Sequence, residues 1–217
     1  MNTGTNGKLI TFEGCEGAGK TTVIERVFEW LVSKGYKVMK TREPGGIEIA
    51  EQIRSVILDP GHVNMDSRTE ALLYAAARRQ HLIEKIMPAL EEGHIVLCDR
   101  FIDSSLAYQG AARGIGMDQV LEINKFAIGP YMPTGTIYLD IKPEIGLQRI
   151  RQNDNREINR LDQEKMEFHE KVYNAYHELL EQYPERIHKI NAENTLEQVI
   201  EETKQHVSNI LLKELRL

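Results

Sequence analysis

Gly14-Cys15-Glu16-Gly17-Ala18-Gly19-Lys20-Thr21 fits the pattern G-x-x-x-x-G-K-[ST] at every fixed position. A glycine-rich turn can match by chance, so the flanks decide the reading. The run Lys8-Leu-Ile-Thr-Phe-Glu13 before it is of β type, and a helical run from Thr22 leaves it. In that context the glycines let backbone N–H groups turn inward toward phosphate oxygens. The helix that follows adds its positive N-terminus. Residues 14–22 are therefore the expected triphosphate binders, with Lys20 reaching the β and γ phosphates and Thr21 offering a hydroxyl to Mg²⁺. The motif names a nucleoside triphosphate and leaves the reaction open.

Outward from the loop, β-type and helical runs alternate. A helix over Thr22–Lys34 ends at Gly35, and a strand is expected over Tyr36–Thr41. The loop Arg42-Glu43-Pro44-Gly45-Gly46 precedes a helix from Glu48 to Leu58. Ser67-Arg-Thr-Glu70 has the form of a capping box, predicting a long helix to about Glu92, kinked at Pro88. His94–Cys98 reads as a buried parallel strand. A helix starts at Ser104–Tyr108, a loop spans Gly110–Gly116, and Asp118 caps a helix to Ile128. Thr136–Ile141 reads as a strand, and Pro143 opens a helix to about Arg151. The polar segment from Arg151 to Arg160 should be exposed and mobile. Asp162 caps a helix to about Gln182, Arg186–Ile190 is a strand, and Thr195 with Gln198 caps the last helix. The pattern predicts a five-stranded parallel sheet with helices on both faces. Ligands then bind along the C-terminal ends of the strands.

The chain has 217 residues, enough for one α/β domain, and no repeat or low-complexity linker divides it. We read residues 1–217 as a single domain with a short lid at about 151–160. The net charge of −6 argues against a nucleic-acid-coating protein. An anionic substrate must then be drawn in by a local basic cluster. No apolar run approaches the ~20 residues of a membrane span. Met1–Gly7 is polar and does not read as a targeting leader, but as a frayed tail. Cys15 and Cys98 make no disulfide framework and suit a reducing cytoplasm.

Chemistry-bearing residues gather near the expected edge. Asp99, at the end of a strand beside the phosphate loop, is a natural holder of Mg²⁺. Arg100 can clamp a phosphate with two parallel hydrogen bonds. Arg42, Arg54, Arg78 and Arg79 lie on elements facing the same edge and point to a second phosphate group. Arg151, Arg156 and Arg160 punctuate the polar segment, as in a lid that closes over a transferring phosphoryl group. Cys15 is either a small filler or, under the loop's N–H groups, a reactive thiolate.

Phe12–Thr22, Thr41-Arg-Glu-Pro-Gly-Gly46, Asp99-Arg-Phe101 and Ser104-Ser-Leu-Ala-Tyr-Gln-Gly110 together resemble thymidylate kinase over nearly the whole chain. The resemblance implies a P-loop kinase of the nucleoside monophosphate kinase type. It would use ATP and Mg²⁺ to convert dTMP to dTDP, as a homodimer. Lys20 and Thr21 would hold the ATP phosphates and the metal, and Glu16 the sugar 3′-hydroxyl. Tyr74 would stack on thymine, while Arg78, Ser105 and Gln109 contact the base edge. Arg54 and Arg100 would bind the acceptor phosphate, and Tyr108 would exclude a ribose 2′-hydroxyl. Glu43 falls with these acceptor-side residues. Tyr74 stands where the family often has Phe, Phe101 replaces a Tyr, and the chain before Arg54 is about two residues shorter than in the family. Gly17 stands where some members carry a catalytic arginine, so the resemblance is to the bacterial type, with Arg151 and Arg156 as catalytic arginines.

Two other readings remain at this stage. A deoxynucleoside kinase would act on a sugar hydroxyl and need a carboxylate base, for which Glu43 is the candidate. A nucleotide-binding switch or assembly ATPase would need a water-positioning residue and a partner surface.

Overall fold

A computed structural model describes residues 7–152 and 160–212. The Met1–Gly7 tail before Gly7 and the middle of the expected lid, Arg156 included, lie outside the described residues. Five strands form one parallel sheet: β1 (Lys8–Glu13), β2 (Val38–Arg42), β3 (Ile95–Asp99), β4 (Gly135–Asp140) and β5 (Ile187–Asn191). Their order is β2-β3-β1-β4-β5. The fold class is the one expected, with strand ends shifted by a residue or two.

The helices are α1 (Lys20–Ser33), α2 (Glu48–Leu58), α3 (Ser67–His81), α4 (Met87–Glu91), α5 (Ile102–Ser105), α6 (Met117–Ile128), α7 (Pro143–Arg151), α8 (Met166–Gln182) and α9 (Leu196–Leu212). Only the β1-to-β2 crossover runs toward the β2 edge of the sheet. Right-handed crossovers therefore put α1 on one face and the helices of the other connections on the opposite face. The last helix, α9, packs beside α1. Ile10, Phe12, Val96, Leu97, Ile137 and Leu139 fill the layer between the faces and are fully buried. Across the strand pair β1–β4 the hydroxyls of Thr11 and Thr136 share a 2.8 Å hydrogen bond, so this buried polar pair is satisfied.

Several helix starts differ from the sequence expectation. Asp66, not Ser67, caps α3: its Oδ1 accepts from the N–H groups of Arg68 and Thr69, both at 3.0 Å. An aspartate competes for the same orphan donors as the serine beside it. Glu70 is thus released from the cap and is fully buried. The expected kink at Pro88 is prepared by a π-helical turn over Leu82–Ile86, where Met87 N–H reaches back to the Leu82 carbonyl. Proline cannot continue the α ladder, and the wider turn absorbs the mismatch. A second π-helical stretch, Leu106–Ala112, continues α5, so helix extends into the expected Gly110–Gly116 loop. Asp118 lies inside the first turn of α6, with Gly116 at the cap position. The helix expected from Asp162 starts at Met166, after a 3₁₀ turn over Arg160–Gln163. Thr195 and Gln198 cap α9 as expected, each backbone N–H bonded by the other's side chain.

Candidate active site

The turn between β1 and α1 curls tightly because its glycines adopt backbone angles that other residues avoid. Gly17 has φ +75°, and a β-carbon there would lie 2.1 Å from the Gly146 carbonyl oxygen on α7. The close seat on α7 leaves no room for a side chain at position 17. Lys20 opens α1 and turns back over the loop, donating to the carbonyls of Gly14 at 3.0 Å and Cys15 at 3.1 Å. Burial lowers its pKa, and neighbouring Arg100 adds to that. An ammonium held this way stands ready to exchange carbonyls for phosphate oxygens.

Cys15 is buried beneath the loop, and burial pushes its thiol up to about 12, against the pull of Lys20 and Arg100. Of the two readings of Cys15, this burial favours the small filler, because desolvation of a thiolate opposes the pull of the nearby positive charge. Cys98 is also a buried free thiol.

Two cavities open at the C-terminal ends of the strands. The larger, about 440 Å³, runs along residues 16–22 and includes Asp99, Arg149 and Ile150. Thr21 and Asp99 both face it, a hydroxyl and a carboxylate of the oxygen type that hard cations select. The smaller, about 110 Å³, is lined by Tyr74, Arg78, Ser105, Tyr108 and Gln109, with Leu58 and Leu161 as its apolar walls. Glu16, Glu43, Arg54 and Arg100 line both.

Arg100 is held on three sides. It donates to Glu16 at 2.8 Å, to the Gly14 carbonyl at 3.1 Å and to Ser104 at 3.1 Å. Its guanidinium lies 5.0 Å from the centre of the Tyr108 ring, a cation–π distance. Its backbone has φ +67°, the only non-glycine residue in that region among those described, so the chain bends sharply to aim it. Tyr108 donates to Glu16 at 3.2 Å. Arg54 reaches the same space from α2, donating to the Pro44 carbonyl at 2.9 Å, so the shorter connection before α2 still delivers it.

Arg78 is almost fully buried. It donates to Glu43 at 2.7 Å, Ser105 at 2.9 Å and the Phe101 carbonyl at 2.9 Å, and also to Asn124. A guanidinium has five N–H donors, so one remains for the cavity. Glu43 has both oxygens engaged, one by Arg78 and the other by His81 at 3.0 Å. It therefore acts on the cavity through Arg78, and as a free base it is badly placed.

Some expectations are corrected here. Arg79 turns away from the edge and donates to the Ala127 carbonyl on α6. Arg42 faces the larger cavity but is tied to Glu51 at 2.8 Å. Arg160 is no exposed lid residue: it is buried, donating to the Ile57 carbonyl at 2.9 Å and to Glu70 at 2.5 Å. Arg151, at the end of α7, is exposed.

Two parts of this region carried no signal in the sequence. Arg149 faces the larger cavity and donates to the Ala192 carbonyl through both terminal nitrogens. Glu13 is fully buried and accepts from Phe101 N–H at 2.7 Å, Ser104 at 2.5 Å and Tyr176 at 2.8 Å. It fixes the segment that carries Arg100.

Residues 12–203 match the family model described as "Thymidylate kinase". A thymidylate kinase of Oceanobacillus iheyensis is 59% identical over 205 residues, 94% of this chain and 91% of that protein. One of Bacillus velezensis is 60% identical over 208 residues, 96% of this chain and 98% of that protein. Among solved structures, the thymidylate kinase from Ehrlichia chaffeensis superposes with a TM-score of 0.75 at 32% identity, covering 93% of this chain and 98% of that one.

Proposed function

The chain belongs to the thymidylate kinase family and phosphorylates dTMP, and on that footing we propose how its two cavities divide the work. ATP lies along the loop 14–22, with its transferable phosphoryl group toward the wall shared by the cavities. dTMP fills the smaller cavity, its phosphate on Arg54 and Arg100. The observation that carries this is the shared wall: the same arginines line both spaces, so donor and acceptor phosphates meet there.

The acceptor residues then take roles in line. Tyr74 offers its ring to the base, and a stacked ring contributes roughly 1–3 kcal/mol. Arg78 brings its remaining N–H, Ser105 its hydroxyl and Gln109 its amide to the base edge. Glu16 holds the sugar 3′-hydroxyl, and Tyr108 closes the space at C2′. The acceptor phosphate is already an anion, so no general base is needed. That separates this reading from a deoxynucleoside kinase, whose base would be Glu43, already paired with Arg78 and His81.

Thr21 and Asp99 are the residues that would hold Mg²⁺ together with ATP oxygens. A bound Mg²⁺ supplies charge neutralisation to the phosphates. Lys20 leaves the loop carbonyls and bonds the phosphoryl oxygens. Arg151, at the end of α7, and Arg156, beyond it in the chain, bring further positive charge. An arginine used in this way contributes on the order of 10³–10⁵ in rate.

Exposed apolar side chains support a homodimer. Leu72 on α3 and Phe126 on the adjacent α6 are 56% and 92% exposed, and Ile83 is exposed as well. Phe126→Glu should convert a dimer to a monomer in sedimentation. No helix among the described residues is long and apolar enough to cross a membrane. Two free buried thiols suit a reducing cytoplasm.

The test is ADP formation with ATP, Mg²⁺ and a panel of nucleosides and nucleoside monophosphates. dTMP should be the best acceptor, with dUMP poorer by about 1–3 kcal/mol for one methyl. Phosphorylation of thymidine in place of dTMP would overturn the reading.

A further inference from the structure

Glu70, released from the expected cap, points into the molecule and is fully buried. Its carboxylate accepts from Gln109 Nε2 at 2.8 Å, from Arg113 Nε at 3.2 and 3.3 Å, and from Arg160 Nη2 at 2.5 Å. Two guanidinium groups pair with it, Arg113 being shared with Glu164 at 2.6 Å, and a carboxylate offers acceptors only. The amide of Gln109 therefore has one orientation, with its nitrogen on Glu70. Its carbonyl oxygen Oε1 is turned the other way and has no hydrogen-bond partner among the described residues, while Gln109 lines the acceptor cavity. Arg78, with one N–H uncommitted, and Ser105, which accepts from Arg78, line the same cavity. The cavity thus presents an acceptor together with groups that can donate.

A 4-oxo pyrimidine carries the complement, a donor at N3 next to an acceptor at O4. A 4-amino pyrimidine reverses both, with a lone pair at N3 and a donor at C4. We infer that Glu70 sets the choice between these two classes of base, by holding the Gln109 amide so that an acceptor faces N3. Glu70 touches no substrate and is a positioning residue. The inference rests on the assignment of the smaller cavity to dTMP. Opposing lone pairs leave buried groups unpaired, and sites built on such pairing reject the wrong partner by about 10⁴–10⁵.

The test is an exchange of the two side chains. E70Q, Q109E and the double variant E70Q/Q109E are assayed for kcat and KM with dTMP and dCMP, and melted to check folding. In E70Q the amide at 70 accepts or donates equally, so Gln109 is free to turn. KM for dTMP should rise about tenfold with kcat near wild type, and the dTMP:dCMP preference should narrow by about tenfold or more. Q109E sets two carboxylates face to face and should lose about 10²-fold in kcat/KM. The double variant restores one donor and one acceptor between the positions, with a carboxylate oxygen facing N3. It should recover at least about tenfold over Q109E. A double variant that folds and is no better than Q109E overturns the inference. A crystal structure of the wild-type enzyme with dTMP decides the same question without any variant. Gln109 bridging Glu70 and base N3 supports the inference, and Gln109 turned away from Glu70 overturns it. Wild-type activity on dTMP is measured first; its absence would sink the parent reading instead.

Discussion

Replacing Gly17 by alanine tests how the phosphate loop is seated. Two costs add at this position. The first is conformational: φ is +75°, and a left-handed backbone costs an L-residue about 1–2 kcal/mol. The second is steric, because the new β-carbon would meet the Gly146 carbonyl oxygen at 2.1 Å, backbone that cannot swing aside. Overpacking of this kind costs about 1–3 kcal/mol. Gly17→Ala should thus lose about 2–5 kcal/mol in all. Gly35 is the internal control: its φ is +85°, with nothing within 4 Å of a built β-carbon. Gly35→Ala should lose only the first term, about 1–2 kcal/mol. Gly146→Ala supplies the second term alone, since its β-carbon would lie 2.2 Å from the Glu16 carbonyl oxygen. Alanine normally gains about 1 kcal/mol over glycine within a helix, so a loss there runs against propensity. Urea unfolding gives the three free energies, and KM for ATP shows whether the loop has moved. Gly17→Ala and Gly146→Ala should both raise KM for ATP, while Gly35→Ala leaves it unchanged. If Gly17→Ala is no more harmful than Gly35→Ala, the seat on α7 is unimportant and the reasoning fails.

Tyr108→Ala should narrow the kcat/KM gap between deoxy- and ribothymidine monophosphate; an unchanged ratio would mean that the 2′ position is policed elsewhere. Tyr108→Phe, which keeps the ring beneath Arg100, should preserve the gap. Cys15, with its thiol pushed up to about 12 by burial, should resist iodoacetamide at pH 8 with or without ATP. Labelling at the rate of an unfolded peptide thiol would contradict that burial. Burial raises the Glu13 carboxyl to about 7, with Asp103 adding and Arg100, Ser104 and Phe101 opposing. The folded chain then keeps a proton that the unfolded chain loses near pH 4.5. Stability from this group is full below that pH and is lost as pH rises toward 7, by up to about 3 kcal/mol. Glu13→Gln should remove this part of the slope in urea titrations at pH 5 and 7.5; an identical slope in the variant would refute the assignment.

Features written into neighbouring residues were legible in the sequence. The strand, loop and helix around Lys20 are local, and so are the Pro-Gly loop at Glu43 and the cap at Thr195. Arg100 was legible because it follows directly on the end of β3, and Arg54 because it lies on the helix after the Pro-Gly loop, elements whose direction follows from the alternation of strands and helices. What escaped depended on distant partners or on close competition. Ser67 lost its cap to the adjacent Asp66, which has the same chemistry. Glu70 then found Gln109, Arg113 and Arg160, residues no periodicity connects to it. Arg160 looked like part of a solvated segment because charge patterning cannot reveal a buried carboxylate waiting for it. Arg149 carried no signal of its own within the helix expected from Pro143, and its guanidinium reaches the carbonyl of Ala192 beyond β5.

The sheet order bears on how the chain reaches this structure at all. β1 and β2 are consecutive in the chain yet never touch, because β3 lies between them. Lys8 lies opposite Ile95, and β2 also pairs only with β3. During synthesis, both strands must wait for β3 to emerge from the ribosome before either has a hydrogen-bonded neighbour. Parallel pairing over such separations is slow and leaves strand edges open meanwhile. The phosphate loop, near the very start of the chain, therefore acquires its working shape late. Its nearest backbone support, at Gly146, is translated later still. A nascent chain halted before β3 should bind no nucleotide, and one extended past α7 should be the first that can.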